Sequence, residues 1–261
     1  MGQGSTFAAV GRAEIAALRI PVSSLPEQRR IVDLLSRAEG IVRLRREAQQ
    51  KAAELIPAIF IDMFGDPSSN PKSWPISKFG DVGALDRGKS RHRPRDAAAL
   101  YGGPYPFIQT GDVANSGGRI RRYTATYSDS GLAQSKLWRA GTLCITIAAN
   151  IAKTGVLEFD ACFPDSVVGF VPGDRVRVGY VQAWLGFLQP TLEANAPQAA
   201  QKNINLEVLR ALPIPAPPID QQDAFVDGCE RVVSIERQQA AASASSQAAF
   251  DALLARAFSE N

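Results

Sequence analysis

One element occurs twice in this chain, at an offset of 194 residues, and no other feature constrains its layout as strongly. Leu18, Ile20, Pro21, Leu25, Gln28, Val32, Asp33, Arg37, Ile41, Arg43 and Phe64 align without gaps on Leu212, Ile214, Pro215, Ile219, Gln222, Val226, Asp227, Arg231, Ile235, Arg237 and Phe258. Each copy reads as an extended apolar-proline segment followed by a long helix. In the first copy Pro26 suits a first helical turn because its φ is already set, and Glu27 lies near the positive end of the helix dipole. Apolar residues then recur at three-four spacing through Ile31, Leu34, Leu35, Ala38, Ile41 and Val42. They pause in a polar middle and resume at Leu55, Ile56, Ile59, Phe60, Met63 and Phe64, the pattern of a helix that buries one stripe. Phe225, Val226, Cys229, Val232, Val233, Phe250, Leu253, Leu254 and Phe258 repeat that phase in the second copy.

Continuous helices of about 38 residues would run roughly 57 Å at about 1.5 Å per residue, far beyond the globular average, and helices of that length need a partner. Each is the nearest partner for the other. The expectation is an antiparallel coiled-coil spacer formed by residues 26–64 and 219–261, with Ile31, Leu35, Ala38, Val42, Ile56, Phe60, Val226, Val233 and Leu254 at the contact. Pro57 is expected to kink the first helix or end it early, since proline removes a donor and crowds the preceding turn.

Residues 65–218 have a different texture. Short β-rich runs at Gly141 to Thr146, Thr154 to Phe159, Val167 to Val171 and Val176 to Gly179 are separated by glycine, proline and polar turns, and Tyr180 to Gln189 reads as a short amphipathic helix. The fold class expected is therefore α+β: one mixed α/β domain with an irregular sheet, flanked by the two long helices.

At 261 residues and 45% apolar content, the chain can bury one or two cores. Cys144, Cys162 and Cys229 are far apart, without a C-x-x-C pair, and the single histidine cannot complete a metal set, so neither a disulfide framework nor a zinc site is indicated. No basic leader precedes a long apolar core, and no window approaches the roughly 20 apolar residues that span a bilayer. A soluble, cytoplasmic protein in a reducing setting is the expectation.

Net charge is only +3, but the basic residues cluster. Arg87, Lys89, Arg91, Arg93 and Arg95 place five formal positive charges within nine residues, around Ser90 and His92, in a stretch too broken by glycine and proline to be helical. The alternative reading of this stretch is a solvated surface loop. A second polar cluster, Gln201, Lys202, Asn203, Ile204 and Asn205, precedes the second proline segment. Asn205 also suits the N-cap of a short helix through Glu207 to Leu209.

Catalytic motifs fail on context. Gly83 to Ser90, G-A-L-D-R-G-K-S, matches the phosphate-cradling G-x-x-x-x-G-K-[ST] literally. A working phosphate loop opens a helix, whereas Arg91, Arg93 and Pro94 follow here, and no apolar run ending in Asp offers a magnesium site. The N-P-P-[YF]-like loop and glycine-rich turn of an adenine methyltransferase are absent. His92 has no nucleophile arranged around it, and Asp160 and Asp165 lack the companions of a nuclease site, so surface or turn roles suit both. Recognition remains: arginine and lysine pair with phosphates, arginine reads guanine through two parallel hydrogen bonds, and Gln or Asn suit adenine edges.

The duplicated segments, L-R-I-P-V-S-S-L-P-E-Q-R-R-I-V over Leu18 to Val32 and L-P-I-P-A-P-P-I-D-Q-Q-D-A-F-V in the second copy, resemble the close of a target recognition domain and the start of a spacer helix in type I restriction-modification specificity subunits. Pro106 to Asp112, Gly141 to Val156 and Ala200 to Ile204 are similar to that family's recognition-domain landmarks, and they add Thr110 and Lys153 to the expected DNA-contacting set. The resemblance implies a subunit without catalysis or cofactors of its own, reading one half of a split double-stranded DNA site with each recognition domain. Adenine-specific methyltransferase subunits would dock on its helices, and methylation and ATP-driven restriction would belong to those subunits and a translocase. The chain carries one recognition domain where full members carry two, and residues 1–25 resemble the tail of a preceding one, so a half-subunit or truncated product is implied. Two chains can pair through their helices as a homodimer facing a symmetric site, or the two helices of one chain can pair with each other. The competing readings are a stand-alone nuclease or nucleotide hydrolase built on Gly83 to Ser90, and an assembly scaffold with a decayed recognition domain.

Overall fold

The structure, a computed structural model, describes residues 11–17, 22–92, 94–148, 150–195 and 204–259. In chain order its elements are α1 (Arg12–Ala16), α2 (Leu25–Phe64), β1 (Ile76–Lys78), β2 (Gly83–Arg87), β3 (Tyr101–Phe107), α3 (Thr110–Ala114), β4 (Arg119–Ile120), β5 (Ala125–Tyr127), α4 (Asp129–Ala133), β6 (Leu137–Trp138), β7 (Leu143–Thr146), β8 (Thr154–Leu157), β9 (Ala161–Cys162), β10 (Val167–Pro172), α5 (Val178–Asn195), α6 (Leu206–Ala211), β11 (Pro213–Pro215) and α7 (Ile219–Ser259). The mixed α+β class expected from the sequence is the one observed. Among the described residues no helix is long and apolar enough to cross a membrane.

The chain divides into two units, residues 1–53 with 235–261, and residues 54–234. In the first, α2 carries ion pairs one turn apart, Glu27 with Arg30 at 2.9 Å, Asp33 with Arg37 at 3.0 Å and Arg43 with Glu47 at 3.2 Å. Ile31, Leu35, Ala38 and Val42 are half-buried there. A groove of about 440 Å³ is lined by Val42, Arg43 and Arg46 from α2 and by Gln247 and Phe250 from α7. Leu254, expected at a helix contact, is 40% exposed.

In the second unit β2, β10, β7, β8 and β4 form a five-stranded sheet in that order; β5, β3, β9 and β6 form a four-stranded one; and β1 pairs with β11. The β10 strand runs antiparallel to both β2 and β7, while β4 lies parallel to β8. All four residues of β7 and the first four of β10 are buried, as expected for a central pair covered on both faces. Helix α5 packs Tyr180, Val181, Trp184 and Leu185 into the same core as Leu143, Ile145, Val168 and Phe170.

The last turns of α2 enter that core. Phe60 is fully buried, its ring 5.5 Å from Tyr180, 4.9 Å from Phe187 and 5.6 Å from Phe225 of α7. Ile56 and Val226 pack against the same cluster, and Val233 is half-buried. Ile56, Phe60 and Val226, expected at a helix-helix contact, pack into the core of this second unit, where Phe60 meets Phe225 of α7 together with Tyr180 and Phe187 of α5. Pro57 neither ends the helix nor cuts it short: α2 continues to Phe64, and burial of Phe60 and Phe64 beyond it offsets the lost backbone bond.

The duplicated glutamine does the same work in both copies. Gln28 donates its side-chain amide to the Ser23 carbonyl at 2.7 Å, and Gln222 donates to the Pro217 carbonyl at 2.8 Å, each five residues back across the helix entrance. Gln222, fully buried, also donates to Arg175 O at 3.0 Å and accepts the Arg177 N–H at 2.8 Å. That last bond explains one difference from expectation. Val176 to Gly179 is not a strand: the Arg177 N–H is taken by Gln222 rather than by a ladder, and Val178 opens α5, which runs to Asn195 rather than covering only Tyr180 to Gln189.

Candidate nucleic-acid interface

The basic segment leaves the sheet at Arg87, whose strand partner is Val168. Gly88 donates its N–H to Val167 O at 2.9 Å, and Lys89 to Phe163 O at 3.0 Å. A Cβ on Gly88 would run into the carbonyl oxygens of Phe163 and Pro164, so only glycine lets the backbone pass this close. The N–H groups of Arg91 and His92 both donate to the Gln134 side-chain oxygen, at 2.5 and 3.0 Å, and Ser135 Oγ donates to Lys89 O at 2.8 Å. Farther along, Tyr101 Oη donates to Arg95 O at 2.8 Å, and Arg95 pairs with Asp165 at 2.9 Å. Partial burial raises the Tyr101 hydroxyl pKa, which keeps it a donor.

The result is a non-helical loop whose backbone is fastened at several points while two of its cations point outward. Lys89 and Arg91 are exposed and, among the described residues, form no ion pair. Arg87 is half-buried, and Arg93 lies outside the described residues. Ser90 departs from its expected DNA-contacting role: it is 7% exposed and faces Tyr127 Oη at 3.5 Å, drawn inward because Gly88 and Lys89 anchor to the strands beneath.

The same geometry disposes of the phosphate-loop motif. Gly83 to Arg87 is a strand in full ladder with β10, and no helix opens at Lys89, so the aligned backbone amides that would cradle a phosphate are not formed. Asp160 accepts the Ala140 N–H at 2.9 Å and pairs with Arg139 at 2.7 Å, and these two bonds hold its carboxyl below the usual range. Asp160 thus fastens a turn, and Asp165 pairs with Arg95. Among the described residues no group of His, Cys, Asp or Glu could hold a metal ion.

Thr110 opens α3 and lines an open cleft of about 640 Å³, together with Gln109, Asn115, Arg119, Arg121 and Arg122. Sequence reasoning missed these arginines. The available signal was R-I-R-R, three arginines within the four residues 119–122, overshadowed by the denser run upstream. Arg121 Nε donates to Glu158 at 3.1 Å, and Arg119 lies 3.6 Å from Glu230 and 4.0 Å from Glu158. Arg122 is exposed and has no ion pair among the described residues.

Lys153 is exposed at the turn between β7 and β8, where its N–H donates to Thr146 Oγ1 at 3.1 Å and Thr146 N–H donates to its carbonyl at 2.9 Å. Gln201, Lys202 and Asn203 lie outside the described residues. Ile204 beside them is buried and donates to Ile147 O at 2.9 Å, and Asn205 caps α6 by accepting the Glu207 N–H at 3.3 Å, as its position predicted.

Comparison with known proteins agrees with this picture. A family described as type I restriction modification DNA specificity domain matches residues 71–242. A putative type I restriction enzyme MjaX specificity subunit from Methanocaldococcus jannaschii is 21% identical over 246 residues, covering 88% of this chain and 56% of the relative. The chain thus spans little more than half the length of that curated relative. The crystal structure of the HsdS subunit from Thermoanaerobacter tengcongensis superposes with a TM-score of 0.62 at 24% identity, over 99% of this chain and 65% of that one. A structure described as the basis of complex assembly and conformational transition of the type I R-M system gives a TM-score of 0.69 at 25% identity, covering 98% and 65%. With the family pattern matched across most of its length, the chain belongs to the type I restriction modification DNA specificity domain family.

Proposed function

We propose that this chain is a sequence-specific double-stranded DNA-recognition subunit of a type I restriction-modification system. It carries no chemistry of its own and directs adenine-methylating modification subunits and a restriction subunit to one half of a split site. The observation that carries the reading is the fastened loop from Gly88 to Arg95, which presents Lys89 and Arg91 outward from a backbone held by Gln134, Ser135 and Phe163. Cations held in place before contact engage phosphates without first giving up loop freedom. Arg93, Gln201, Lys202, Asn203 and Lys153 complete the proposed DNA-facing set, with the methyltransferase subunits docked on α2 and α7. The groove that joins Val42 to Phe250 favours pairing of the two helices within one chain as the spacer, rather than a homodimer. A cytoplasmic setting follows from the DNA substrate.

Single-molecule methylation mapping tests this directly, on DNA from cells expressing the chain with and without a methyltransferase subunit of this family. A split motif methylated on adenine, seen only with both proteins, is the expected result. A palindromic motif would point to two copies facing the DNA, and no new motif would overturn the reading.

A further inference from the structure

The cleft between α3 and β4 is not explained by the basic loop, and its chemistry differs. In the loop, Lys89 and Arg91 are exposed and have no carboxylate partner among the described residues, as suits phosphates. In the cleft, Arg121 is tied to a carboxylate: its Nε lies 3.1 Å from both oxygens of Glu158. A guanidinium held through Nε keeps its two terminal nitrogens for another partner, in a plane set by the protein. Glu158 is itself fixed, since it follows β8, and its N–H donates to Ile120 O at 3.2 Å across the parallel β4–β8 pair. The carboxylate also lowers the local positive charge, which weakens a pure phosphate clamp and suits an edge that carries acceptors but no net charge. Gln109 and Asn115 add side-chain amides to the rim.

The geometry points to this cleft as a base-reading site, in which Arg121, oriented by Glu158, takes the O6 and N7 acceptors of a guanine in the major groove. This rests on the DNA-recognition reading above and assigns a division of labour within it: the loop holds the backbone, and the cleft determines sequence.

The test is selection from a randomised duplex DNA library with the full-length chain, its Arg121→Ala, Arg121→Lys and Glu158→Gln variants, and Arg91→Ala as the loop control. Circular dichroism and thermal melting confirm that each variant is folded. Arg121→Ala is expected to lose preference at one guanine position by about tenfold to a hundredfold, with the rest of the motif retained. Arg121→Lys keeps the charge but not the two-pronged fork, and is expected to lose the same preference. Glu158→Gln is expected to weaken it partially. Arg91→Ala should lower affinity for all sequences alike. An Arg121→Ala variant that binds every sequence equally less well, or that selects the wild-type motif unchanged, overturns the inference while leaving the recognition reading intact. A wild-type chain that enriches no motif overturns both.

Discussion

The side-chain carbonyl of Gln134 accepts the backbone N–H of His92 at 3.0 Å, and with the same oxygen that of Arg91. Gln134 is the C-cap residue of α4, so a helix end determines where the basic loop sits. Gln134→Ala should leave thermal stability within about 1 kcal/mol, because the two freed donors lie where water reaches them. It should nevertheless raise the dissociation constant for all duplexes, since the loop must then be ordered on binding. Arg91→Ala should also weaken binding uniformly and reduce the salt slope by about one. In the double variant the effects should fall short of additive, as for residues acting through one contact. Fluorescence anisotropy titrations over a salt series measure all three, and strict additivity would mean Gln134 does not act through the loop.

Gly88→Ala should destabilise the unit of residues 54–234 by about 1 to 3 kcal/mol, the usual cost of overpacking. The added methyl meets backbone carbonyls of Phe163 and Pro164, which cannot swing aside as a side chain would. Urea unfolding followed by tryptophan fluorescence reads this, and an unchanged midpoint would show that the strand end yields.

Phe60→Ala removes a fully buried ring from contact with Phe64, Tyr180, Phe187 and Phe225. A loss of about 3 to 5 kcal/mol is expected from urea unfolding. Leu254→Ala, at a position 40% exposed, should cost far less, although both residues lie on the same pair of long helices.

Asp223 accepts two hydrogen bonds from Arg177, at 2.5 and 3.0 Å, and this pairing holds its carboxyl below its ordinary value of 3.8. A depressed folded-state pKa contributes stability above the unfolded value and loses it as pH falls through the folded one. Asp223→Asn should therefore be less stable than the parent at neutral pH, and the gap should close as pH drops below about 4. Thermal melts over a pH series check this. A gap that persists at low pH would place the effect in packing rather than charge.

The architecture was legible because it rests on local periodicity. The duplicated segment announced two helices of nearly equal length, and the repeated glutamine proved to make the same bond five residues back in each copy, a short-range interaction that sequence spacing alone determines. The Asn205 cap was legible for the same reason. The basic loop was visible as composition, and its lack of helix followed from glycine and proline.

What tertiary structure decided lies across long separations in the chain. Ser90, turned inward by the anchoring of Gly88 and Lys89, faces Tyr127, 37 residues away, and Gln134 grips the loop from 42 residues downstream. Arg121 acquired a purpose only when the parallel β4–β8 pair brought Glu158 beside it. Phe60, expected at a contact between the long helices, meets Phe225 of α7 and also the rings that α5 brings to the same core. Sequence periodicity determines which face of an element is apolar, but not which distant element will cover it, since that depends on how the whole chain closes around its cores.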